Sequence, residues 1–235
     1  MNDVPPVLVA ETLVRRYGDR VVVDRVSMTV AAGEMVSLMG ASGCGKTTLL
    51  HMLGTLDHPD EGQIRIEGRD VARMSGSERT TLRRERLGFV FQQSNLLPEL
   101  TTRENVALPA WRATGRRRDS LARADALLTR FGLGRRAEAR GHVLSLGEAQ
   151  RVAVARAIIN GPRLVLADEP TGSLDSEAAQ AVLDALGAVC LSGAALLVVT
   201  HDPSVAARCT RRLAMRDGRI WTDADPAPAA TSQSA

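Results

Sequence analysis

The sequence is poor in several residue types, and each scarcity narrows what the protein can be. Of its 30 lysine and arginine residues only one, Lys46, is a lysine. Aromatic residues make up 3% of the 235 positions, and Tyr17 is the only tyrosine. Three scattered cysteines argue against a disulfide framework and indicate a reducing compartment. A single lysine among so many arginines suggests that its position requires a property that arginine lacks.

Long apolar runs and a strong charge bias are also missing. No apolar run approaches the roughly 20 residues of a membrane-spanning helix, so we expect no transmembrane segment. The first residues, MNDVPPVLVAETL, do not resemble a secretion signal. A formal net charge of +3 gives no reason to expect a nucleic-acid partner. If the protein works at a membrane, we expect it to do so through a membrane-embedded partner.

Four short apolar runs end in polar residues and alternate with stretches of helical pattern. They cover residues 35–40, 87–93, 164–170 and 195–202. Each has the length of a buried strand. The alternation predicts an α/β fold with a parallel or mixed sheet.

The segments around these runs predict further elements. Residues 12–36 predict antiparallel strands with turns at 17–19 and 31–34, and residues 64–71 and 213–221 predict hairpins. From about 96 to 160 the strand signal is weak and apolar spacing predicts helices over 120–133 and 148–160. We therefore expect a helical subdomain inserted in a domain that spans 1–221, followed by a disordered tail over 222–235.

A glycine-rich segment, GASGCGKT at 40–47, fits the pattern G-x-x-x-x-G-K-[ST] between a strand and a helix. Its backbone N–H groups and the helix N-terminus can surround phosphate oxygens. Lys46 is expected between the β- and γ-phosphates of a nucleotide, because a compact ammonium fits where the wider planar fork of arginine does not. The alternative is a glycine-rich turn with a chance lysine. The predicted nucleotide contacts are Gly40, Ser42, Gly43, Cys44, Gly45, Lys46, Thr47 and Thr48.

A second polar cluster follows the apolar run at 164–167. Asp168 and Glu169 come at the carboxyl end of this predicted strand, where ligands bind in open α/β sheets. Asp168 and the hydroxyl of Thr47 are candidate ligands of a nucleotide-bound Mg²⁺. Glu169 is a candidate to orient or deprotonate a water molecule. The alternative is a solvated acidic turn.

Six segments together resemble the ATP-binding-cassette (ABC) ATPases, in the order found in that family. They are RRYGD, the glycine-rich segment, GFVFQQ, LSLGEAQRVAVARA, LADEPTGSLD and VVTHD. The resemblance reaches to about residue 221. It implies a P-loop NTPase core of the RecA-like type, with an antiparallel β subdomain and an inserted α-helical subdomain.

The resemblance also implies roles for residues outside the glycine-rich segment. Tyr17 would stack on adenine, although a tyrosine buried in a hairpin is the alternative. Gln92 would contact Mg²⁺ and its water network. His201 would orient the γ-phosphate and the attacking water, although a lone histidine after a strand is more often structural.

By the same resemblance, two copies of the chain would hold two ATP molecules between them, head to tail. The signature segment, LSLGE at 144–148, would then face the ATP bound by the other copy. Ser145, Gly147 and Glu148 would contact that nucleotide, and Asp175 would lie at the dimer interface. The family usually has glycine where this chain has Leu146. That leucine would cost roughly 1–2 kcal/mol at a positive φ, and it would be benign in the first turn of a helix. We favour the second case.

Several stretches are similar to one branch of the family, which includes macrolide exporters, lipoprotein-release ATPases and a cell-division ATPase. The resemblance implies an ATPase at the cytoplasmic face of the membrane that drives a permease by mechanotransmission. Residues 95–109 would lie by the groove where a cytoplasmic helix of that permease docks. One alternative is a regulatory ATPase that controls cell-wall hydrolysis without transport. A soluble ABC protein of ribosomes or chromosomes is less favoured, since the chain lacks a second cassette and long coiled coils. The transported substrate is not encoded in these residues.

Overall fold

The structure is a computed structural model that describes residues 6–221. The tail for which disorder is predicted, 222–235, lies outside the described residues. Within the described range, ten strands form two sheets. The strands are β1 (Pro6–Tyr17), β2 (Arg20–Ala31), β3 (Met35–Met39), β4 (Glu61–Ile66), β5 (Arg69–Asp70), β6 (Leu87–Val90), β7 (Leu164–Asp168), β8 (Ala195–Thr200), β9 (Arg211–Arg216) and β10 (Arg219–Trp221).

The two sheets differ in strand direction. The smaller sheet has the order β2-β1-β4-β5, and its neighbouring strands are antiparallel. The larger sheet has the order β10-β9-β3-β8-β7-β6, in which β9, β3, β8, β7 and β6 are parallel and β10 is antiparallel to β9. The predicted α/β fold with a mixed sheet is therefore confirmed.

The sequence predictions for the strands hold with one correction. The four apolar runs form β3, β6, β7 and β8, and the predicted turns at 17–19, in 64–71 and in 213–221 join antiparallel pairs. The turn at 31–34 does not, because β3 belongs to the larger sheet and pairs in parallel with β8 and β9. Four of the five β3 residues are buried, as expected of a strand covered on both faces.

Seven α-helices accompany the sheets over residues 6–221. They are α1 (Lys46–Leu53), α2 (Gly76–Arg86), α3 (Thr102–Thr114), α4 (Arg117–Arg130), α5 (Leu146–Ile158), α6 (Ser176–Leu191) and α7 (Pro203–Ala207). The helices predicted at 120–133 and 148–160 correspond to α4 and α5, which begin three and two residues earlier. None of the helices in this range is long and apolar enough to cross a bilayer.

Three of the helices begin with a capping box. Ser75, Thr101 and Ser145 cap α2, α3 and α5, and each accepts a hydrogen bond from the backbone N–H three residues later. The residue at that third position is a glutamate in every case, and its carboxylate accepts from the backbone N–H of the capping residue. This reciprocal pair fixes where each helix starts.

The helices between β6 and β7 enclose an apolar core of their own. Side chains of α3, α4 and α5 form this cluster, with Val106, Leu128 and Val152 fully buried. The packing explains why this stretch carries helical spacing and little strand signal. It also places the start of α5 at the surface, since Ser145 and Leu146 are exposed.

One buried amide holds the loop that enters α3. Asn105 is fully buried, and its Nδ2 donates to the carbonyl oxygens of Leu97 at 3.0 Å, Leu100 at 3.3 Å and Thr101 at 3.1 Å. Its Oδ1 accepts from the backbone N–H of Leu97 at 2.7 Å. The conformation of residues 97–101 therefore depends on this side chain.

We predict that Asn105→Ala lowers the free energy of unfolding by about 1–3 kcal/mol, because the N–H of Leu97 and the carbonyl oxygen of Leu100 lose the hydrogen bonds that Asn105 makes to them. Urea denaturation of the purified variant measures the change. Gln93→Ala, at an exposed residue, is the control and should change the free energy of unfolding by no more than about 0.5 kcal/mol. Equal stability of wild type and Asn105→Ala would contradict the role given to this amide.

Candidate functional site

The parallel strands of the larger sheet end at one edge, and the loops that follow them meet in a cleft. The cleft has a volume of about 550 Å³. Residues that follow β3, β6, β7 and β8 line it, together with the last residue of β7 and one residue of β2. The lining consists of Val22, Ser42, Gly43, Gly45, Lys46, Thr47, Thr48, Gln92, Asp168, Glu169 and His201. A cleft at the carboxyl edge is the expected ligand position in this type of sheet.

The glycine-rich loop requires glycine at Gly45 for two reasons. The residue has a φ of 109°, which side-chain-bearing residues rarely adopt. A Cβ placed there would also lie 2.4 Å from the carbonyl oxygen of Val22. Gly45 precedes α1 and offers no side-chain cap, so the first N–H groups of α1 are left to bind a ligand.

Lys46 lies under the loop with its ammonium enclosed. The residue is 8% exposed, and its Nζ donates to the carbonyl oxygens of Gly40 at 2.7 Å and Ala41 at 2.8 Å. A compact ammonium can make these bonds and still present a further N–H, because it has three donors around one atom. The planar fork of arginine would not fit between the two carbonyl groups. The local geometry thus supports the expectation that position 46 requires the compact ammonium of lysine.

Thr47 and Asp168 connect the start of α1 to the end of β7. Thr47 Oγ1 donates to Asp168 Oδ2 at 3.0 Å. The other oxygen of Asp168, Oδ1, is buried and has no hydrogen-bond partner among residues 6–221. Burial raises the pKa of the Asp168 carboxyl, and the hydrogen bond from Thr47 opposes that rise.

This donor set fits Mg²⁺ when it is bound with a nucleotide. Within the described part of the chain, no three His, Cys, Asp or Glu side chains are grouped so that they could hold a metal on their own. Mg²⁺ in nucleotide sites is usually held by one or two protein oxygens, waters and the phosphates themselves. The hydroxyl of Thr47 and the unpartnered Oδ1 of Asp168 match that arrangement.

Glu169 and His201 form a pair on the same edge. Glu169 Oε1 lies 2.8 Å from His201 Nδ1. The backbone of Glu169 has a φ of 45°, and its N–H donates to the carbonyl oxygen of Val199 on β8 at 2.9 Å. A left-handed conformation at a residue other than glycine costs roughly 1–3 kcal/mol and is common at functional sites. The hydrogen bond to Glu169 raises the pKa of His201.

Tyr17 is outside the lining of this cleft. Its side chain is 52% exposed, which excludes the alternative of a buried tyrosine. The guanidinium of Arg15 lies over the ring at 4.8 Å from its centroid, and the hydroxyl donates to Asp57 Oδ2 at 3.0 Å. The ring is thus held in place while part of its surface stays free.

The structure does not bring every predicted site residue into the cleft. Gly40 and Cys44 belong to the loop but do not line the cleft, since Cys44 packs partly against the apolar core. Val22 lines the cleft and is not distinguished in the sequence, because it looks like any apolar residue of a strand. The remaining predicted residues outside the lining are Ser145, Gly147, Glu148 and Asp175.

The signature segment and Asp175 form one packed unit at the start of two helices. A Cβ on Gly147 would lie 2.6 Å from the Cβ of Ala178, so glycine allows α5 and α6 to approach closely. Asp175 caps α6 and accepts from the N–H of Ala178 at 2.8 Å. The Glu148 carboxylate binds the N–H of Ser145 and Nε of Arg136, both at 2.9 Å, and is therefore occupied within its own chain.

Leu146 lies in the first turn of a helix and not at a positive φ. Leu146 is the first residue of α5, is not among the residues of positive φ, and is 68% exposed. Leucine at this position carries no backbone strain, as we expected for the first turn of a helix.

The chain is similar to ATP-binding cassettes in sequence and in fold. The family model described as "ABC transporter" matches residues 23–172, more than half of the chain. Macrolide export ATP-binding/permease protein MacB 1 of Aeromonas hydrophila is 45% identical over 98% of this chain and 37% of its own length. MacB of Burkholderia pseudomallei is 44% identical over 97% of this chain and 36% of its own length. The chain thus spans little more than a third of these relatives.

Solved structures agree with the sequence comparison. The ATP-binding cassette MJ0796, described as a dimer in a post-hydrolysis state bound to ADP and Pi, is 35% identical with a TM-score of 0.83. The match covers 92% of this chain and 98% of that one. The structure described as cbiO1 of Clostridium perfringens, part of the ABC transporter complex cbiONQ, is 25% identical with a TM-score of 0.83, over 92% of this chain and 87% of that one.

We predict that Glu169→Gln lowers the pKa of His201 toward the ordinary value of about 6.5, because the anionic partner that stabilises the imidazolium is lost. A pH titration of the histidine ring signals by NMR measures it. In wild type the pKa of His201 is raised, so the contact with Glu169 is strongest below that pKa and weakens as pH rises through it. Glu177→Gln is the control and should leave the titration unchanged. A His201 pKa that is the same in wild type and Glu169→Gln would contradict the pairing.

Proposed function

The chain belongs to the ABC transporter family, and from that membership we propose that it binds and hydrolyses ATP to drive a membrane transporter. The observation that carries the proposal is the meeting of four loops in one cleft. That cleft contains an enclosed ammonium, a hydroxyl–carboxylate pair and a glutamate–histidine pair. Phosphate binding, metal binding and water activation each need one of these groups.

The loop before α1 binds the triphosphate in this proposal. Backbone N–H groups of residues 42–48 surround the β-phosphate, and Lys46 reaches the β- and γ-phosphates from below. Tyr17 stacks on the adenine ring. Thr47, Asp168 and Gln92 would hold the magnesium ion and its waters. When bound, Mg²⁺ neutralises charge that develops on the phosphate oxygens.

Glu169 acts on the attacking water. Its carboxylate lies at the carboxyl edge of β7, where it can accept a proton from a water aligned with the γ-phosphate. His201 holds the carboxylate through its Nδ1. The left-handed backbone conformation of Glu169 costs free energy and is held by the surrounding strands. This conformation fixes the direction of the Glu169 side chain.

The site is completed by a second copy of the chain. Ser145 is exposed at the start of α5, and this residue and its neighbours do not line the cleft of their own chain. In a head-to-tail dimer the signature segment of one copy faces the nucleotide of the other. The positive end of α5 then stabilises negative charge on the γ-phosphate. The relative MJ0796 is described as a dimer, which supports this arrangement.

The transporter partner is a membrane-embedded permease. The MacB relatives are described as macrolide export ATP-binding/permease proteins. We propose a permease of the mechanotransmission type for this chain, with the cassette at the cytoplasmic face of the membrane. The docking surface is residues 95–109, where Leu97 is 42% exposed while its backbone is held by Asn105.

We predict that Glu169→Gln loses at least about 100-fold in ATP hydrolysis, because it removes the base. The same variant should form a dimer in MgATP and stay monomeric with MgADP, since bound ATP is no longer consumed. Phosphate release and analytical ultracentrifugation measure the two effects, with Glu85→Gln, at an exposed residue of α2, as the control. A variant that keeps wild-type turnover, or that stays monomeric in saturating MgATP, would contradict the proposal.

For the docking surface, we predict that Leu97→Ser separates hydrolysis from coupling. The variant should keep the ATPase rate of the isolated cassette, because Leu97 does not line the nucleotide cleft and is exposed. It should lose most of the change in rate that the permease causes in reconstituted vesicles. Leu191→Ser, at a residue that is 92% exposed on α6, is the control and should couple normally. Loss of ATP binding in Leu97→Ser would contradict the assignment of this surface.

A further inference from the structure

A second cavity lies apart from the nucleotide cleft and shares no lining residue with it. Its volume is about 330 Å³, within the usual range of about 300–1,000 Å³ for small-molecule pockets. It is bounded by the end of α1, the loop to β4, β4 itself, the turn after β5 and one face of α2. The lining consists of Met52, Thr55, Leu56, Asp57, His58, Pro59, Gly62, Ile64, Val71, Ala72, Gly76, Arg79 and Arg83.

The base of this cavity is apolar. Met52, Ile64 and Val71 are buried parts of the main core, and each contributes to the lining. Leu56 is 48% exposed and adds a further apolar surface. A ligand with a hydrocarbon or aromatic body would therefore gain from burial here, at about 25 cal/mol for each Å² of apolar surface removed from water.

Two cations face the cavity without an acidic partner. Arg79 and Arg83 are both half-buried on α2, and neither forms an ion pair with any residue from 6 to 221. Arg83 is fixed by the carbonyl oxygen of Thr55 at 2.9 Å and by Thr80 Oγ1 at 2.9 Å. The guanidinium of Arg79 has no side-chain hydrogen bond within the described range. By contrast, the neighbouring Arg73 is paired with an aspartate.

The acidic residue of the lining does not cancel this positive charge. Asp57 Oδ1 accepts from Arg15 at 3.0 Å, and its Oδ2 accepts from the hydroxyl of Tyr17 at 3.0 Å. Its charge is thus compensated outside the cavity. The cavity therefore combines an apolar base with a net positive rim.

We propose that this cavity binds a small amphipathic anion. The apolar body lies on Met52, Ile64 and Val71, and a carboxylate or phosphate head pairs with Arg79. Carboxylates and phosphate monoesters share this chemistry, because arginine binds either with two parallel hydrogen bonds. The proposal does not depend on the nucleotide cleft.

The experiment measures binding of octanoate and octyl phosphate by isothermal titration calorimetry, with the protein saturated in MgADP to block the nucleotide cleft. Both probes should bind at one site, and the tighter one identifies the preferred head group. Arg79→Gln should weaken binding by about tenfold, because a hydrogen bond to a charged group is lost. Gly76→Trp should abolish it by filling the cavity, since Gly76 lines the cavity and a Cβ there would meet no heavy atom within 4 Å.

Three controls make the result decisive. Arg118→Gln replaces an exposed helical arginine that has no ion pair in the range 6–221, and it should bind like wild type. Octanol, which lacks the charge, should bind at least about tenfold more weakly than octanoate. Far-UV circular dichroism and thermal unfolding confirm that the variants fold. The proposal is overturned if neither anion binds, if octanol binds as tightly as octanoate, or if folded Arg79→Gln and Gly76→Trp both bind like wild type.

Discussion

The parallel pairing of β3, β8, β7 and β6 is the constraint on which the site depends. Because their carboxyl ends lie at one edge, residues far apart in sequence meet within one cleft. The bond from Thr47 to Asp168 joins the phosphate loop to the end of β7, and the contact of Glu169 with His201 joins the ends of β7 and β8. A change of register in any of these strands would separate groups that must act together.

The signature segment, which is the other half of the proposed site, is positioned by the packing of α5 against α6. Gly147 lets α5 approach α6, and Asp175 caps α6 beside that contact. The signature segment is therefore placed by helix packing and not by the sheet edge. The chain thus presents two separate features: a cleft at the sheet edge and an exposed helix start that does not line this cleft.

Much of this arrangement could be predicted from the sequence, since strand lengths, loop glycines and the order of six segments are local features. The family assignment, the fold and the strand positions are confirmed. The antiparallel pairing across the turn at 31–34 was predicted wrongly, because β3, which is covered on both faces, pairs with β8 and β9 and not with β2. Val22 has no signal in the sequence, since its role in the cleft comes from packing against Gly45. The cavity beside α2 combines residues of four separate segments, whose proximity only the fold reveals.

The central claim is that each nucleotide is held by two chains. The most direct measurement is an experimental structure of the Glu169→Gln variant with MgATP. The account predicts a twofold dimer in which Ser145 Oγ and the backbone N–H of Gly147 lie about 3 Å from the γ-phosphate bound by the other copy. A structure in which the γ-phosphate is contacted only by residues of its own chain, with Ser145 exposed to solvent, would contradict it.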